Sequence, residues 1–224
     1  NGLDAMSEDC LVLNVVTPAR PSRHPPLLPV VVYLHAGEFQ YGASNDGESN
    51  WPSFASDSIV YVTPNSRLGP LGFLAARGAL QTHAAGGVGN DGDGDGPDGV
   101  GAAGGTGNFG ILDQRLALRW VRRHIECFGG DPSKVTIMGE SSGGSSVALH
   151  LVDRPSWGFF HRAVLQSPGL AQVKLMGDAE ASYQHLLGAL RALKSEGCGG
   201  GGAGGDGADE RAYQYRTFHM ARLL

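Results

Sequence analysis

Charge, cysteine and long apolar runs are all scarce in this chain, and each scarcity removes a class of function. Charged residues make up 17% of 224 positions, and the formal net charge is -5. No basic stripe exists to neutralise phosphates, so nucleic acid is not expected as a partner. No stretch reaches the roughly 18 apolar residues of a membrane span, so none is expected in this chain. Three cysteines, Cys10, Cys127 and Cys198, leave at least one thiol free or paired outside the chain. The first residue is Asn1 and no leader pattern follows it. A processed or truncated N-terminus is the expectation, and the missing leader says nothing about secretion.

Glycine is abundant instead, at 36 residues, and much of it lies in two tracts. Residues 84–107 are almost all Gly, Ala and Asp, and residues 197–208 are mostly glycine. Neither can bury enough apolar surface to offset chain entropy, so both read as low-complexity insertions. Asp91, Asp93 and Asp95 alternate with glycines, but no distal Glu and no flanking helices complete a calcium loop. No metal and no cofactor is expected.

Between the tracts, strand and helix patterns alternate. Residues 11–16, 30–34, 59–63, 135–138 and 163–166 read as strands, and 30–34 (VVVYL) is apolar enough to be buried on both faces. Residues 111–125, 142–151 and 183–193 read as helices. In the first, Leu112, Leu116, Leu118, Trp120, Val121 and Ile125 supply an apolar face and four arginines a solvated one. Residues 128–132 (FGGDP) stop that helix, and 211–224 could add a short one. The alternation implies an α/β fold with a mainly parallel sheet covered by helices on both faces.

Gly139-Glu140-Ser141-Ser142-Gly143 fits G-x-S-x-G between a strand and a helix. That context puts a serine on a sharp, exposed turn, with glycines where a Cβ would strike the neighbouring backbone. Ser141 is the candidate nucleophile. The N–H of Ser142 opens a helix and is a candidate oxyanion donor.

Several segments together resemble the type-B carboxylesterase and cholinesterase family, in family order from about residue 7 to 167. They are the serine site with Phe128-Gly129-Gly130, Val135 and Ile137 ahead of it, and Glu8-Asp9-Cys10-Leu11-Val12-Leu13-Asn14-Val15, which departs at Val12 where Tyr is usual. Asn65-Ser66-Arg67-Leu68-Gly69, residues 107–114 (GNFGILDQ) and residues 160–167 (FHRAVLQS) complete the set. The resemblance implies an α/β-hydrolase fold and a serine hydrolase that cleaves small carboxylic esters through an acyl-enzyme on Ser141. It implies a structural ion pair between Glu8 and Arg67, a disulfide from Cys10 to a partner before Asn1, and a loop disulfide from Cys198. Cys127 reads as a buried free thiol. Glu140 is either a buried supporting carboxylate or a charge favourable at a helix N-terminus. A secretory location follows from the resemblance alone; the oligomeric state does not follow from anything.

Two departures stand out. The family's oxyanion loop runs His/Tyr-Gly-Gly-Gly-Phe, whereas this chain reads His35-Ala36-Gly37-Glu38-Phe39. Gly37 and Glu38 map to the donors, and a carboxylate on Glu38 opposes a developing oxyanion. The triad order Ser, acid, His also requires partners that family members carry far past the serine. The later histidines are His150, His161, His185 and His219, and a Ser141–Glu210–His219 arrangement keeps the order. A surface role for Glu210 and His219 is the simpler reading. The chain is therefore expected to be a partial hydrolase domain over 1–224, lacking the triad acid and His. A non-catalytic, cholinesterase-like interaction domain is the alternative, and a truncated product that does not fold stably is a third.

Overall fold

The computed structural model describes residues 7, 9–18, 26–46, 58–75, 107–169 and 173–196. Both glycine-rich tracts (but for Gly107), Glu8, Cys198, Glu210 and His219 lie outside them. The chain divides into two compact units, Asn1–Tyr183 and Gln184–Leu224.

The first unit is built on a five-stranded sheet in the order β1-β3-β2-β4-β5. Its strands are β1 (Leu13–Val16), β2 (Leu28–Leu34), β3 (Val60–Pro64), β4 (Gly130–Glu140) and β5 (Arg162–Gln166). β1 runs antiparallel to β3, and the other pairs are parallel. The helices are α1 (Gly69–Phe73), α2 (Phe109–His124), α3 (Ser142–Val152) and α4 (Met176–Glu196). Every residue of β3 is buried, as a strand covered on both faces requires. Val30, Val32, Leu34, Val60, Val62, Val135 and Ile137 form the core with Leu118, Val121, Ile125, Val147 and Phe159.

β4 begins five residues earlier than its apolar run. Leu28 pairs with Gly130, then Val30 pairs with Val135, so the register jumps between them. Asp131 closes the intervening turn by accepting from Ser133 N at 2.9 Å and Ser133 Oγ at 2.6 Å, with Lys134 Nζ 2.8 Å away. Pro132 is tolerated because the bulge asks nothing of its missing N–H.

The apolar face expected of α2 is corrected in part. Asp113 and Gln114 are buried, while Leu116 is 55% exposed. The buried positions 110, 111, 113, 114, 117, 118 and 121 follow helical spacing, and Leu116 falls off that stripe. Cys127 is exposed, not buried. The 3-10 turn Ile125–Phe128 points Ile125 into the core and the following three residues outward. α4 starts seven residues before the helix read from sequence. In the second unit its Leu186, Leu187, Leu190 and Leu193 share one half-buried stripe. No described helix is long and apolar enough to cross a membrane.

Candidate active site

Ser141 joins the C-terminal end of β4 to the first residue of α3. Its backbone sits at φ 53°, ψ -119°, a region that costs a non-glycine residue about 1–3 kcal/mol. Neighbouring backbone holds it there. Ser141 N donates to Gln166 O at 2.9 Å, and Ser141 O accepts from Ser145 N at 2.9 Å. Ser145 Oγ lies 3.1 Å from Ser141 O and 2.7 Å from Gly169 O. α3 crosses the sheet edge so closely that a Cβ on Gly143 would lie 2.0 Å from Leu34 O, so glycine there is a packing requirement.

The loop after β2 faces this turn. Gly37 adopts φ +115°, and a Cβ on it would lie 2.0 Å from Tyr41 O. Gly37 O accepts from Gln40 N and Tyr41 N at 2.8 and 3.0 Å, closing a tight turn. Glu38 and Phe39 follow at φ 55° and 61°, two consecutive left-handed residues with side chains. Tertiary contacts hold them: Gly69 N donates to Phe39 O at 2.7 Å, and the Phe39 and Phe73 rings meet edge-on at 4.9 Å. Further along, Ser44 N donates to Asn65 Oδ1 at 2.7 Å, and Asn14 Nδ2 donates to Ser44 O at 3.1 Å. β1 and the segment after β3 thus hold the loop in place.

His35, Ala36, Gly37, Glu38, Tyr41, Gly42, Asp46 and Ser141 line an open cavity of about 230 Å³. No described residue accepts the N–H of Gly37 or Glu38, and the N–H of Ser142 opens a helix. The structure therefore brings together Ser141, Gly37 and Glu38 in one cavity, with Ser142 next in the chain. Pattern reading missed His35, Tyr41, Gly42 and Asp46 as lining residues, because they sit in a loop without periodicity. His35 Nδ1 is 2.7 Å from Ala36 O; a carbonyl only accepts, so Nδ1 carries a proton there.

Glu140 is exposed, where the supporting-carboxylate reading has it buried. It pairs in register with Gln166 of β5, whose residues other than Ala163 are also exposed, so no described element covers it. Arg67 is held by Asp113: its N, Nε and Nη2 donate to that carboxylate at 2.9, 2.8 and 2.8 Å. The hydrogen bond to Asp113 raises the Arg67 pKa, and burial opposes the rise. Glu8 lies outside the described residues. Cys10 and Cys127 form no disulfide among the described residues, and no described cluster of His, Cys, Asp and Glu suits a metal ion.

Two later histidines sit far from Ser141. His150 is nine residues along α3, roughly 13 Å up the helix axis. His161 pairs with Val135 through its backbone N and ring Nδ1, about 20 Å of strand from the turn. His185 belongs to the second unit.

A mostly parallel sheet, helices between its strands, and a serine on the strand-to-helix turn define the α/β-hydrolase fold. Over 82% of its length the chain superposes on a solved structure of PNB esterase, with a TM-score of 0.65 and 33% identity, covering 33% of that chain. The chain belongs to the carboxylesterase family, whose model matches residues 1–90 and 99–196. It is 41% identical over 158 residues to venom carboxylesterase-6 of Apis mellifera, covering 70% of this chain and 24% of that protein. It is 37% identical over 166 residues to para-nitrobenzyl esterase of Bacillus subtilis, covering 74% and 29%. The chain thus spans 24% to 33% of the length of these relatives.

Proposed function

We propose that this chain is the nucleophile-bearing part of a serine hydrolase that cleaves small carboxylic esters. The strained Ser141 turn, sharing one cavity with the loop at Gly37 and Glu38, carries the reading. Ser141 Oγ attacks the ester carbonyl and gives its proton to a base. The carbonyl oxygen becomes an oxyanion facing the N–H groups of Gly37, Glu38 and Ser142. The alcohol leaves with a proton, and water then hydrolyses the acyl-serine. We assign the acid and His of the triad to residues of a longer protein, because both follow the serine in the fold's triad order and neither His150 nor His161 lies near the turn. Relatives named as esterases, one of them a venom protein, support the substrate class and agree with a secretory location.

Glu38 weakens the site. It is an exposed residue lining the cavity where negative charge develops, and a carboxylate beside that charge opposes it where the site must stabilise it. The longer protein is expected to hydrolyse p-nitrophenyl acetate slowly, Ser141→Ala to abolish the reaction, and Glu38→Gly to raise kcat by roughly tenfold or more. The same Glu38 favours the second reading, a non-catalytic interaction domain. No hydrolysis by either the longer protein or its Glu38→Gly variant would establish that reading instead.

A further inference from the structure

Behind the nucleophile turn lies a line of buried polar side chains that ester cleavage does not use. His150 and Ser156 are fully buried, Ser146 is 1% exposed and Gln114 6%. His150 Nδ1 is 2.8 Å from Ser156 Oγ, and Nε2 is 3.2 Å from Gln114 Oε1. Ser156 Oγ donates to Asp153 Oδ2 at 2.5 Å, and Arg115 Nη1 reaches the same oxygen at 3.3 Å. On the other side, Gln114 Nε2 is 3.1 Å from Ser146 Oγ, which lies 3.0 Å from Ser142 O. The line runs from the Arg115–Asp153 pair to the residue that follows Ser141.

Counting protons gives the line a direction. The single hydroxyl proton of Ser156 goes to the Asp153 carboxylate, which only accepts. Ser156 must then accept from His150, so Nδ1 carries the proton of the neutral ring. Nε2 is left as an acceptor, and the amide oxygen facing it cannot donate. A half-turn of the planar Gln114 amide exchanges its oxygen and nitrogen. Nε2 then receives an N–H, and the Gln114 oxygen receives the Ser146 hydroxyl, whose single proton no longer goes to Ser142 O. Another solution, a ring protonated on both nitrogens, puts a charge on a side chain that is fully buried.

We propose that His150 is a positioning residue for the nucleophile turn. Its Nδ1–H tautomer, locked by Ser156 and Asp153, orients the Gln114 amide. The Gln114–Ser146 bond then ties α3 to α2 one turn beyond Ser142, and the helix so fixed sets the direction of the Ser142 N–H. The proposal rests on the reading of Ser141 as nucleophile and adds residues that never touch substrate.

Long-range ¹⁵N–¹H spectra of the chain at neutral pH report which ring nitrogen is protonated. Nδ1–H is expected; an Nε2–H ring would overturn the proposal. Gln114→Glu removes the donor facing Nε2, so the ring is expected to become protonated on both nitrogens, a change that packing alone does not produce. Gln114→Met keeps the volume and deletes both hydrogen bonds. In the longer protein its kcat for p-nitrophenyl acetate is expected to fall roughly tenfold at unchanged KM, less than the loss of a whole oxyanion donor. An unchanged kcat overturns the positioning role while Ser141 keeps its own. Absence of any Ser141-dependent hydrolysis sinks the esterase reading instead, and the ring spectra still decide whether His150 orients Gln114.

Discussion

At Ser141 the local and the global requirements of the fold disagree, and the fold prevails. Its backbone at φ 53°, ψ -119° is one that glycine enters without a Cβ penalty. Ser141→Gly is therefore expected to stabilise the chain by roughly 1 kcal/mol, strain relieved less the added chain entropy, as measured by urea unfolding. A loss of stability would mean that the turn is not strained. The serine itself was legible in sequence because G-x-S-x-G states its own geometric needs. Gln114 and Asp113 were not, because a polar residue on a helix reads as solvated until its partners come from distant segments: Arg67 for Asp113, and Ser146 and His150 for Gln114. His150 carries a second consequence. Burial holds its pKa down to about 4 against an ordinary 6.5, with Asp153 opposing the shift and Arg115 adding to it. The unfolded chain then binds the extra proton between those values, so this stability is complete above about pH 6.5 and declines as pH falls toward 4. The decline is expected to reach about 3 kcal/mol, and urea midpoints of the chain and of His150→Gln across this range should converge as pH falls.

At the scale of elements, strands buried on both faces were the easiest to read. The runs at 30–34 and 59–63 match β2 and β3 within two residues, because nothing polar interrupts them. The bulge at the start of β4 was hidden, since its Asp131 and Pro132 read as a turn and give no sign of pairing with Leu28. α1 was missed because five residues show no periodicity. β5 pairs with β4 on one side, and no described strand pairs with the other. Val164 and Leu165 on it are 41% and 36% exposed. Such an edge invites association, so this chain is expected to self-associate at micromolar concentration. Leu165→Lys is expected to shift it toward monomer in light scattering without altering its circular dichroism. Equal association of both would place the contact elsewhere.

For the whole molecule, the family was legible because its segments keep their order along the chain, and the alternation of elements predicted the parallel sheet. The cavity was only half legible: Gly37, Glu38 and Ser141 could be found from motifs, whereas His35, Tyr41 and Asp46 join them through the fold of one loop. Nothing in the composition reveals the substrate. The central proposal is that Ser141 is a nucleophile whose base is supplied by residues of a longer protein and not by this chain. Fluorophosphonate labelling of the chain and of the longer protein, each beside its Ser141→Ala variant, tests it most directly. Labelling of the longer protein alone, lost in the variant, is the predicted result. Labelling of the chain by itself would contradict the account, for a base would then lie within it, and His35 is the described histidine that shares the cavity with Ser141.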